Sequence, residues 1–488
     1  MSSRHADITL VQAALPVVTM IVGLVLGSQF MDVGPPLLVP VMLLAATVAA
    51  FFARRAGHNF DDLQKLCGSK LAGIMPMLLI LLAIGMLIGS WMLSGTIPFM
   101  IYYGLQLVDP NYLLVTAFCV TAVMSMATGT SFGSAGTIGV ALMGMAQVAH
   151  VPLGMCAGAV LSGAYLGDKM SPLSDTTNIS AIGAGANLYD HIRQMMYTSL
   201  PSMVLAVVVY LIAGFGLQTE PNSTDASAAF LQELGGAFEM SILLMAPVLV
   251  VIIGVIRKTP PVLAMTMSSL VALLIGMFLH GFSLQDALTA AANGFDVQMF
   301  ESRGITANGF SEDFGKLVTR GGLYSMVGNF VMIIAAFILA AGLELSGALN
   351  KMIQAMLSGA KSTLGLISAT MGAGAIMIGL TSHSGVTALV IGNLFQGAYS
   401  ERGFAPQNLS RSIEDSVTIV EPLMPWTVSG IFMATTLGVA TVDYLPWAVF
   451  CYSGSLFSLL IAASFDRTGF GLKRKADWTS SAPTQENE

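Results

Sequence analysis

Long apolar runs separated by short polar segments dominate this chain. No Asp, Glu, Lys or Arg occurs in residues 71–108, nor in residues 110–167. Each run exceeds the roughly 20 residues that cross a bilayer as a helix. Neither alternates polar and apolar at every second position, so membrane-barrel strands are excluded. Further apolar runs cover residues 8–30, residues 195–217 and, after the Asp-Val-Gly-Pro-Pro turn at 32–36, a stretch ending at Phe52. The pattern predicts an all-α polytopic membrane protein. Residues 8–30 outrun the roughly 7–15-residue core of a signal peptide, and only Arg4 and His5 supply a basic start. They read as a retained transmembrane helix.

The interruptions are as informative as the runs. Residues 111–150 are rich in Gly, Ser and Thr, densest in Thr-Gly-Thr-Ser-Phe-Gly-Ser-Ala-Gly at 128–136. This patch reads as the tip of a hairpin inside the protein, which is allowed only where irregular backbone lines a cavity. The alternative is a plain helix with small residues for close packing, as at Gly154 and Gly158. Residues 163–182 carry Asp168, Lys169 and Asp175, the only Asp, Glu, Lys or Arg between Pro110 and Tyr189. Pro172 stands between the two carboxylates and stops a helix from running through.

Charge in the connecting segments predicts sidedness. Arg54, Arg55, Lys65 and Lys70 outnumber Asp61 and Asp62, which puts the loop at 54–70, and with it the N-terminus, on the cytoplasmic side. Arg257 and Lys258, Lys351 and Lys361, and the basic tail with Lys473, Arg474 and Lys475 read the same way. Glu220 to Glu239 carries only acidic charges, and residues 283–320 are acidic in balance; both point outward. The expected division is a first transmembrane repeat at 1–217, an external linker at 218–239, a second repeat at 240–465 and a cytoplasmic tail at 466–488, disordered towards its end. The two halves echo each other: Thr130 and Ser131 precede Asp168 much as Thr381 and Ser382 precede Asp415. Weak internal symmetry with interrupted helices at matching places points to a transporter binding site.

Composition agrees and narrows the partners. The chain is 55% hydrophobic and only 10% charged, against about 25% charged in soluble domains. The net charge of −7 is scattered, and no basic cluster suggests nucleic acid. Cys67, Cys119, Cys156 and Cys451 show neither metal-site spacing nor a disulfide framework.

Charge at bilayer depth is expensive and persists where it faces a polar cavity. Asp168 and Asp175, with oxygens of Ser171, Ser174, Thr177 and Asn178, therefore read as a cation site, because a hard cation takes oxygen ligands. Thr130, Ser131, Thr381 and Ser382 add hydroxyls, and Asp415 and Glu421 are the acidic candidates of the second half. Buried carboxylates also take up protons, so Asp168, Asp175, Asp415 and Glu421 are candidate proton carriers. Lys169 is either a counter-charge or a partner for an anionic substrate. Arg411 lies four residues before Asp415 and pairs with it along a helix, or meets the same anion. His383 is a hydrogen-bonded structural histidine or a proton carrier. No catalytic motif flanks the aspartates, so a membrane-embedded protease is disfavoured.

The run Gly-Asp-Lys-Met-Ser-Pro-Leu-Ser-Asp-Thr-Thr-Asn at 167–178 resembles the signature of the NhaC-type sodium/proton antiporters. Residues 85–98, 127–133 and 411–416, leading to Pro425 and Trp426, support the likeness. Its most similar branch exchanges proton-linked malate for sodium-linked lactate. The resemblance implies a secondary antiporter of the cytoplasmic membrane, with sodium and protons as cargo and no cofactor. It also implies inverted repeats with discontinuous helices and re-entrant hairpins, an elevator-like shift and a homodimer. The competing reading is a sodium- or proton-coupled dicarboxylate symporter.

Overall fold

The computed structural model describes residues 8–217, 223–358 and 362–475. Arg4, His5, Glu220, Lys361 and residues 476–488 lie outside them. Among the described residues the chain is helical, with only the isolated bridges Phe295–Arg320 and Phe404–Arg474. Nine described helices are long and apolar enough to cross a membrane, or up to eleven if each bent pair is one span.

The chain opens with α1 (Leu10–Gly27) and α2 (Pro35–Arg55), which pack together. Residues 54–70, expected as a loop, are mostly the helix α3 (Phe60–Gly73). A reciprocal capping box starts it, with Asn59 accepting from the Asp62 N–H and Asp62 from the Asn59 N–H. α3 has no fully buried residue, and its Lys70 pairs with Glu344 at 2.6 Å. α4 (Met75–Leu93) and α5 (Thr96–Leu107) meet at Gly95, whose φ of +78° makes the sharp turn.

Next comes the hairpin. α6 (Leu113–Thr128) stops at Gly129, φ +69°. The Thr130 hydroxyl then accepts from the Gly133 N–H at 3.3 Å and caps α7 (Ser131–Ser134). A π-turn at Ala135–Gly139 leads into α8 (Val140–Val148), and α9 (Leu153–Met170) follows. A Cβ on Gly163 or Gly167 would strike the carbonyls of Phe118 and Ala122, so α6 and α9 run side by side in one direction. Cys156 meets the Leu142 carbonyl and Gly139 faces Val160, so residues 131–148 run the other way. The tip is therefore at 129–130. Pro172 marks the next interruption, before α10 (Asp175–Ala184) and α11 (Leu188–Gly216).

The described part of the expected linker is helical, as α12 (Ser223–Ala237). The chain bends by 91° between 229–237 and 242–256 and continues as α13 (Ala246–Ile256) and α14 (Pro261–Phe278). The polar stretch 283–320 folds as α15 (Leu284–Asn293), 3-10 turns and α16 (Glu312–Val318) around Phe295, Phe300, Phe310 and Phe314. Its polar composition hides this aromatic centre.

α17 (Val327–Leu345) and α18 (Ala348–Ser358) precede a second set of interruptions. α19 (Thr363–Thr381) ends at Ser382, φ +56°, and the His383 ring Nδ1 accepts from the Val386 N–H at 3.3 Å to cap α20 (Ser384–Glu401). α21 (Pro406–Ile413) runs into a π-turn at Glu414–Thr418, a 3-10 turn at Glu421–Leu423 and, after a 47° bend, α22 (Val428–Leu437). Gly374 packs on Ser416 and Gly379 on Met424, so α19 and 406–423 run side by side as α6 and α9 do. α23 (Thr441–Tyr444) and α24 (Val449–Thr468) close the bundle. Residues 469–475 of the expected tail are held against it, Asn408 bonding both the N–H and the carbonyl of Lys473.

Candidate ion site

The interruptions at 129–130, 171–174, 382–384 and 424–427 border one cavity of about 660 Å³. Thr128, Thr130, Asp168, Ser174, Asp175, His383, Ser384, Glu421 and Ser429 line it. It reaches the surface at exposed Lys258, Thr259 and Pro260. Carbonyl ends of α6, α9 and α19 and amide ends of α10, α20 and α22 meet here. Helix amide ends favour carboxylates and carbonyl ends favour cations, so a junction of both suits acidic side chains and a cation together.

Asp168 and Glu421 are both buried. The Ser174 and Ser131 hydroxyls, with the Ser131 N–H, reach the Asp168 carboxylate. Glu421 accepts from the Ser429 N–H at 3.3 Å and stands beside Ser384, tying together the starts of α20 and α22. Asp175 is exposed, at the first turn of α10 on the cavity wall. No group of three or more His, Cys, Asp or Glu is placed to hold a metal ion among the described residues. A transported cation here would rely on mixed carboxylate, hydroxyl and carbonyl oxygens.

Other candidates form hydrogen bonds within the frame. The Thr177 hydroxyl lies 3.3 and 3.2 Å from the carbonyls of Asp168 and Lys169, at the open end of α9. Asn178 donates to the carbonyls of Pro172 and Ser174 at 3.1 and 2.7 Å, closing the interruption on itself. Ser171 accepts from the Leu173 N–H, and the Thr381 and Thr387 hydroxyls bond each other at 2.6 Å.

Lys169 and Asp415 are not on the cavity wall. They form a fully buried ion pair with each other. Arg411 Nε lies 3.9 Å from the other Asp415 oxygen, and Thr198 donates to Asp415 at 3.2 Å. The acidic candidates thus divide: Asp168, Asp175 and Glu421 share the cavity, while Asp415 neutralises Lys169. Sequence reasoning missed Ser384 and Ser429, which stand beside Glu421, and two further residues. Glu414 is fully buried beside Ser180 and Thr418, with no well-formed hydrogen bond to either carboxylate oxygen. Tyr165 is buried near Asp168, Glu421 and Ser429. Glu414 carried a signal, being a second carboxylate in an apolar, hydroxyl-rich run; Tyr165 carried none.

A second cavity of about 670 Å³, lined by Gln147, Asn293, Arg320 and Thr436, lies at the other ends of α4 and α22. Between the two, Phe132 and Phe432 meet with ring centroids 4.3 Å apart.

The Na+/H+ antiporter family model matches residues 105–184 and 163–464, which contain every candidate side chain discussed above. The chain belongs to the Na+/H+ antiporter family. A Haemophilus influenzae protein described as an uncharacterized Na+/H+ antiporter is 42% identical over 93% of this chain and 96% of its own length. The Na+/H+ antiporter NhaC of Alkalihalophilus pseudofirmus is 34% identical over 93% and 94%. The malate-2H+/Na+-lactate antiporter of Bacillus subtilis is 30% identical over 82% and 83%. Relatives in this antiporter family are transporters, and this chain is a multi-pass membrane transporter rather than an enzyme.

Proposed function

We propose that this family member exchanges sodium for protons across the cytoplasmic membrane, with Asp168, Asp175 and Glu421 as the shared site. The observation that carries this reading is the pair of buried carboxylates, Asp168 and Glu421, facing one cavity bounded by interrupted helices. Sodium favours the ionised carboxylates, so its binding expels protons; either cargo excludes the other. Nearby carboxylates titrate as a group, so the proton belongs to the site and not to one residue. The cavity opens beside the basic turn at 257–258, which supports reading this as an inward-open state, with the termini on the cytoplasmic side. Opposite access follows when the Phe132–Phe432 layer parts towards the second cavity. The matching interruptions of the two halves favour inverted repeats, and the reading keeps the homodimer that the resemblance implies.

The malate/lactate relative supports a second reading, in which sodium travels with an organic anion. Against it, Lys169 and Arg411 both face Asp415 and do not line the cavity. Exchange without an organic anion is therefore preferred.

Proteoliposomes under an imposed sodium gradient test both readings. Proton flux opposite to sodium, without malate or lactate, is expected; flux in the same direction selects the symporter. Apparent sodium affinity should weaken as pH falls, while saturating sodium restores the maximal rate. Asp168→Asn and Asp175→Asn should each abolish exchange in a folded protein. Wild-type pH-sensitive exchange in both variants would remove the cavity from the mechanism.

A further inference from the structure

Outside the ion site, a groove of about 1220 Å³ lies on the flank of α11, closed by α24 and the segment after it. Its floor is apolar, with exposed Leu200, Val204 and Val208 of α11 and Phe470 beyond α24. One end is polar. Arg193 and Lys473, both exposed, line that end. Among the described residues neither forms a salt bridge. Asp190 shares the wall, leaving a net positive charge.

This rim is built. Gly471 offers its carbonyl to Gln194 at 2.7 Å and to Arg411 at 2.6 Å, and Asn408 clamps the Lys473 backbone. The segment carrying Phe470 and Lys473 is therefore fixed over the start of α11. Gln407, 5% exposed, lines the same end, and its side-chain oxygen has no hydrogen-bond partner. An unpaired buried acceptor is costly and calls for a donor from outside the chain.

We propose that the groove binds one anionic glycerophospholipid, its phosphate between Arg193 and Lys473, a headgroup hydroxyl on Gln407 and its acyl chains along α11. The dimensions fit. The fifteen helical steps from Arg193 to Val208 rise about 22 Å, close to half of the roughly 40–45 Å of a bilayer with its headgroups. The cations sit where basic pockets beside membrane helices hold acidic headgroups. A second copy of the chain is the poorer occupant, because a twofold contact on this face presents the same patch of cations to itself.

The test uses the full-length protein in detergent and native mass spectrometry, with dioleoyl phosphatidylglycerol titrated against dioleoyl phosphatidylcholine. Wild type should retain the anionic lipid with roughly tenfold preference, as two cations near the headgroup predict. Arg193→Gln combined with Lys473→Gln should bring the two lipids level, whereas Arg193→Lys should keep the preference and control for folding. Gln407→Leu should weaken retention of phosphatidylglycerol. Equal retention by wild type, or full preference in the double Gln variant, would overturn the site. So would cross-linking between copies through Val204→Cys in lipid-free micelles, which would assign the face to a dimer.

Discussion

Lys169 and Asp415 illustrate how burial decides a residue's role. Each would be prohibitively costly alone in a dry interior, and their mutual contact offsets that cost. Replacing one partner should therefore hurt more than replacing both. Lys169→Met should lower unfolding stability by about 3–5 kcal/mol, while Lys169→Met with Asp415→Leu should recover most of the loss. Thermal unfolding in one detergent measures both. If the single change leaves stability intact, the pair is not structural and Lys169 is free to meet an anion.

At the scale of elements, the interruptions matter more than the helices. Gly129 and Ser382 occupy the same left-handed conformation, each followed by a side chain that caps the next helix. An L-residue there costs on the order of 1 kcal/mol, which glycine avoids. Ser382→Gly should therefore be neutral or mildly stabilising, within about 1 kcal/mol after its added unfolded-state freedom. Ser382→Val should be clearly destabilising, because branching at Cβ worsens the clash. Unfolding midpoints check both. Loss of transport with stability unchanged in Ser382→Gly would make the hydroxyl a cargo ligand; clear destabilisation would mean that the left-handed turn is not strained.

For the whole molecule, two cavities of similar size occupy opposite ends of α4 and α22, with an aromatic layer between them. Alternating access requires that those ends face opposite compartments. On a background lacking the native cysteines, Lys65→Cys should be labelled from the cytoplasmic side and Glu312→Cys from the other. Labelling of both from one side would defeat the inverted arrangement.

Sequence alone determined the class, because uncharged runs of such length have no stable place but a bilayer. It also pointed to the interruptions, since Pro172 stops a helix and Gly, Thr and Ser favour turns and caps over helix interiors. The hairpin tip at 129–130 was legible for that reason. What it could not assign was partnership among the rare charges. Asp168, Asp175, Lys169, Glu414, Asp415 and Glu421 are close to one another in composition and context, and their spacing does not say which will meet. Only the tertiary fold brings Asp415 to Lys169 and leaves Asp168 with Glu421 on the cavity. Tyr165 joins them for the same reason. It lies on a helix face that became polar only when distant segments closed over it.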